Sequence, residues 1–225
     1  MAGELLIQVI DIARFRAIRP ALDELDASRA LGLETLALLR EAATSPLLGG
    51  DRHRGLAALP RILNHPELEL RVFFAPAAVD GLIEGLVHAL CFENGAEFSL
   101  VTPIGPSWVV LDIELAVFAD LDWFRAIFLE PNREASRLAY PRVGEGCYGV
   151  LSRKGVARAA AGLEPLLNDP IPDEIAARLK MLAEHSQLPV LTLSRAVRKA
   201  AQGLDRLAAK ALSREELTLA HTSLL

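Results

Sequence analysis

The stretch that decides the fold runs from residue 68 to 115: LELRVFFAPAAVDGLIEGLVHALCFENGAEFSLVTPIGPSWVVLDIEL. Its first seven residues alternate. Leu68, Leu70, Val72 and Phe74 share one face, and Glu69, Arg71 and Phe73 share the other, which predicts a half-buried strand. Pro76 then suits the first turn of a helix. Val79, Leu82, Ile83, Leu86, Val87 and Leu90 follow helical spacing, and Asn94-Gly95 is the expected stop. Two further strands are expected at about 97–102 and 108–115, joined through Pro103-Ile104-Gly105-Pro106-Ser107 as a hairpin.

The flanks add elements in irregular order. Residues 5–10 read as a short buried strand, and Asp11 as the cap of a helix that Pro20 would end or redirect. Ser28 is placed to cap a helix reaching Ala43, and a Gly/Pro-marked loop follows over 44–54. Asp120 can cap another helix. Beyond it come a loop over 131–146, a strand near 147–151, a helix from Ser152, and a break over 168–172. A helix to His185, a strand near 188–193 and a long helix from Ser194 complete the reading. This pattern predicts an α+β fold: a mixed or antiparallel sheet covered by helices, with a mostly helical N-terminal segment. Residues 1–66 are expected to be that segment, packed on an α+β core of 67–225 as one structural domain.

One stretch is echoed. LSRKGVARAAAGL from Leu151 and LSRAVRKAAQGL from Leu193 share 8 identities over 12 aligned positions once Lys154 is omitted. The echo fits a duplicated strand–cap–helix unit, and it fits two Ala-rich helices that converged on one cap.

Composition bounds the function. Of the 225 residues, 52% are hydrophobic and 24% charged, a globular balance with enough apolar material for a sizeable core. Cys91 and Cys147 form neither a CxxC pair nor a disulfide framework. The start, MAGELLIQVID, lacks a basic flank, and its apolar run is too short for a signal peptide or a membrane span. A soluble protein of a reducing cytoplasm is expected. The Arg, Ala and Leu bias suggests a GC-rich bacterial genome. Net charge is −5, divided unevenly: residues 1–139 carry 12 basic and 20 acidic side chains, and residues 140–225 carry 12 and 9. That balance argues against nucleic-acid binding and permits a local anion site in the back third.

Four constellations could carry chemistry. On the 77–92 helix, Asp80, Glu84, His88 and Cys91 fall in one sector beside Gly81 and Gly85. Glu84 could orient His88 as a base, and His88 could activate Cys91 as a nucleophile; the same sector also reads as a solvated face. Asp112 and Glu114 in WVVLDIEL lie about 6.6–6.8 Å apart on one strand face, a spacing that can hold Mg²⁺ or Mn²⁺. It equally fits a wet sheet face. Gly144-Glu145-Gly146-Cys147-Tyr148-Gly149 matches GxGxxG without the strand and helix a dinucleotide fingerprint requires, so a loop presenting Cys147 is the better reading. Ser152 with Arg153, and Ser194 with Arg195, open two helices and could bind a phosphate or carboxylate, or bend their cations into solvent.

No HExxH, GxSxG, P-loop, EF-hand or zinc ligand set occurs, and no cofactor is expected. The leading expectation is a non-catalytic binding, regulatory or protein-interaction module. Its partner would be another protein or a small anionic ligand, with self-association open and no membrane or nucleic acid. The alternative is a small hydrolase or metal-dependent phosphoryl-transfer enzyme using Asp112 and Glu114, or His88 and Cys91.

Overall fold

The computed structural model describes residues 4–45, 76–101 and 148–224. These residues form β1 (Glu4–Asp11), α1 (Ile12–Ser28), α2 (Leu33–Ala42), α3 (Pro76–Cys91), β2 (Phe92–Val101), β3 (Tyr148–Val150), α4 (Arg153–Leu167), α5 (Asp173–Ser186), α6 (Val190–Leu212) and β4 (Leu217–Leu224). The class is α+β. The strands make one sheet in the order β2–β1–β4–β3. β3 and β4 pair antiparallel, with Tyr148 opposite Thr222 and Val150 opposite Ala220. The expected strand over 68–74, the hairpin partner at 108–115 and the Asp120-capped helix lie outside the described residues. Among the described residues, no helix is long and apolar enough to cross a membrane.

The chain forms two compact units. It leaves the first after Val9, builds the second from Ile10 to Gly95, and returns to the first at Ala96. The expected boundary at residue 66 lies outside the described residues.

The second unit is helical. The Asp11 carboxylate accepts from the Arg14 amide at 2.8 Å and starts α1, as its sequence position implies. α1 does not end at Pro20 but runs through it to Ser28. Pro20 is exposed, on the face away from the buried stripe of Phe15, Ile18, Leu22 and Leu25. The carbonyl it leaves unbonded therefore belongs to the wet side, and burial on the other side holds both halves in line. Ser28 does not cap the next helix. It closes α1, its hydroxyl bonded to Ala30, and α2 begins after Gly32. α3 packs against both α1 and α2. Val79, Leu82, Ile83 and Leu86 are buried as their spacing requires, and so are Ala89 and Cys91. α3 ends at Cys91, three residues before Asn94-Gly95, and passes straight into β2. Gly95 then takes a left-handed φ of 68° inside the strand.

The first unit is built on α4, α5, α6 and the sheet. One core gathers Ile7 and Val9 of β1, Val156 and Leu163 of α4, Leu179 and Leu182 of α5, Leu193, Val197 and Leu204 of α6, and Leu217 and Leu219 of β4. β4 lies between β1 and β3, which explains why Thr218 and Ala220 are buried along with the leucines. The expected strand near 188–193 is absent: α6 starts at Val190, and Leu193 lies in its first turns. The C-terminal helix also stops at Leu212, and β4 follows where the sequence suggested a continuing helix.

Candidate functional site

On α3, the described part of the stripe is covered to different degrees. Cys91 is 1% exposed and His88 half-buried, while Gly85 is fully covered. His88 lies one turn before Phe92, their ring centroids 5.1 Å apart and the planes inclined by 38°. Burial pushes the Cys91 thiol up to about 12; Arg14 opposes that rise, and Asp11 and Glu41 add to it. Arg14 itself is ion-paired with Glu41, so its charge is shared. A nucleophilic cysteine needs the opposite surroundings, electropositive and accessible. Cys91 thus has the surroundings of a small apolar core residue, and its burial favours the protonated thiol. Glu84 occupies α3 at the expected register.

The two basic helix starts are not equivalent. Ser152 caps α4, its hydroxyl accepting from the Gly155 amide at 3.2 Å. Arg153 does not reach for an external anion. Its guanidinium donates to the carbonyls of Leu212 and Arg214, 2.9 Å each, where α6 ends. A cation at those unbonded carbonyls also meets the negative end of the helix dipole. Ser194 is no cap: its hydroxyl donates back to the Val190 carbonyl at 2.9 Å inside α6, with Arg195 exposed beside it. The Leu151 and Leu193 echo therefore covers one strand–cap–helix start and one helix interior.

Asp112, Glu114 and Cys147 lie outside the described residues. Of the GxGxxG segment, Gly149 lies in β3 opposite His221. Among the described residues, no group of three metal-ligating side chains occurs.

A different surface stands out. The inner face of α6 buries Leu193, Val197, Ala200, Ala201, Leu204, Leu207, Ala208 and Ala211. Its first turn exposes Val190, Leu191 and Thr192, the first two by 41% and 61%, and Leu191 opens the outer face. It continues through Arg195, Lys199, Gln202 and Arg206 to Lys210, all exposed. At about 100° per residue, Leu191, Arg195, Lys199, Gln202 and Arg206 fall within roughly 80° of the helix circumference. Asp205 is the only acidic residue of α6 and is half-buried, off that stripe. Arg198 is also off it, its guanidinium 3.1 Å from the Asp169 carboxylate. The Arg/Lys-rich outer face and Ala/Leu inner face of this helix are legible in the sequence from Ser194 onward; reading residues 188–193 as a strand left out only its apolar start. The 3–4 spacing of Leu191, Arg195, Lys199, Gln202 and Arg206 was the available signal.

Comparison with protein-family models, with curated proteins and with solved structures finds no match.

Proposed function

We propose that this chain is a non-catalytic binding or regulatory module of a reducing bacterial cytoplasm, and that the outer face of α6 is its contact surface. One observation carries the reading: a helix whose inner face is packed opens its outer face with exposed Leu191 and lines the rest with cations. Large apolar side chains left exposed beside charged ones are the usual composition of a recognition surface. The surroundings of Cys91 support the same side, since a proton-holding core thiol offers no nucleophile.

The test is binding against turnover. Purified protein should retain or capture a macromolecular partner, and Leu191→Ala with Arg195→Ala should weaken that capture without lowering Tm. Turnover in a broad hydrolase and phosphatase screen, with or without Mg²⁺ and Mn²⁺, would overturn the reading.

A further inference from the structure

We infer that α5, the turn over residues 187–189 and α6 form a helix-turn-helix that sets the first turns of α6 into the major groove of duplex DNA. The inference rests on the binding-module reading and names its partner.

The first support is architectural. α5 ends at Ser186, and Gln187 takes the left-handed conformation, φ 59° and ψ 23°. Leu188 and Pro189 complete a three-residue turn, and α6 starts at Val190. So short a turn, with the second helix exposed along one side, supplies two features of the motif that docks its second helix in a groove. The geometry is held from within. Leu179, Leu182 and Ala183 of α5, Leu193 and Val197 of α6 and the turn residue Leu188 all pack in one core, and α4 packs against α6 from the same unit. A reading helix must be presented rigidly, and this one is anchored along its whole inner face.

The second support is the chemistry of the outer face. Leu191 and Thr192 sit at the start of α6, the part of a recognition helix that meets base edges. Their methyl groups suit the thymine methyl, and the Thr192 hydroxyl can bond either a donor or an acceptor edge. Arg195 follows one turn on, with a fork matched to guanine. Lys199, Arg206 and Lys210 extend the positive charge toward phosphates, and Gln202 adds an amide that can donate and accept. The charge argument against nucleic acid averaged over the whole chain. The acidic excess lies in residues 1–139, whereas this stripe carries four cations and no acid. At about 0.1 M salt, charges more than about 10 Å apart are largely screened, so the local stripe governs.

The experiment is fluorescence anisotropy of the full chain with a fluorescein-labelled 30-base-pair duplex of random sequence. Binding should fall about 40-fold between 50 and 200 mM KCl, as roughly three phosphate contacts require. Lys199→Ala with Arg206→Ala should weaken binding at least tenfold and flatten the salt slope by about two, at unchanged Tm. Arg16→Ala, an exposed cation of the other unit, should change nothing. Leu191→Ala with Thr192→Ala should alter the sequences enriched in a binding-site selection while sparing the salt slope.

The inference is overturned by no duplex binding at 50 mM salt, by binding that the double variant leaves intact, or by preference for single strands. If duplex fails to bind while a captured protein cross-links to α6, DNA is the wrong partner and the binding-module reading stands. Turnover in the enzymatic screen is the separate result that removes that reading.

Discussion

At the scale of single residues, Cys91 and Arg153, which invite a chemical role, take part in holding the fold. Cys91 is the sharpest case. Its native thiol keeps its proton to about 12, while the ordinary value is 9.0. A group whose folded pKa is raised contributes stability that is complete below the unfolded pKa and lost as pH climbs toward the folded one. From pH 9 upward the unfolded chain gains a thiolate that the native core refuses, at about 1.4 kcal/mol per pH unit. The stability difference between the native chain and Cys91→Ala, from urea unfolding, should therefore narrow by about 2 kcal/mol between pH 8 and 10.5. A constant difference would mean that Cys91 ionises normally in the fold. Arg153 gives a second expectation. Its two bonds to the carbonyls at the end of α6 are solvent-accessible, so Arg153→Ala should cost only about 1 kcal/mol. A calorimetric titration with phosphate should not distinguish that variant from the native chain; a marked loss of phosphate affinity would restore Arg153 as an anion ligand.

At the scale of elements, the sequence was legible where one local signal stood alone. Asp11 and Ser152 each read as a cap and each is one, because a short oxygen-bearing side chain before an apolar-periodic run has few other uses. The spacing from Val79 to Leu86 placed α3, since burial on that face needs nothing but period. Errors arose where two signals competed. Pro20 reads as a breaker, but Phe15, Ile18, Leu22 and Leu25 bury one stripe across it and outweigh the lost bond. Residues 188–193 read as a strand from their apolar content; Pro189 instead pre-sets the entry to α6, with Leu191 exposed and Leu193 buried. β4 was missed because α6 stops at Ser213 without glycine or proline. The seryl hydroxyl bonding Lys210 at 2.7 Å closes the helix in their place. The α5–α6 turn supplies the test at this scale. Gln187 holds a left-handed conformation that glycine adopts freely. Gln187→Gly should stabilise the chain by about 0.5–1 kcal/mol, read as a higher urea midpoint at constant m. A lower midpoint would show that the Gln187 side chain supports the turn more than its backbone strains it.

At the scale of the whole molecule, one strand supplies both units. Val9 is buried in the core of the first unit, and Ile10, also buried, is the residue at which the second begins. The chain re-enters the first unit at Ala96, just after the left-handed Gly95. The sequence could show β1 but not this division, because an apolar run marks a strand without saying where the chain passes from one unit to the next. The division makes a specific demand on stability. Leu86 is fully buried in the second unit and Leu204 in the first, and removing either side chain should cost about 2–5 kcal/mol locally. Native-state hydrogen exchange separates the two effects. Leu86→Ala should accelerate exchange in α1, α2 and α3 while the slowest amides of α4 and α6 keep their protection. Leu204→Ala should do the reverse. Uniform acceleration from either substitution would mean that both cores open together. Separate responses would mean that the unit carrying α5 and α6 holds its outer surface in place by its own packing, as a rigid recognition helix requires.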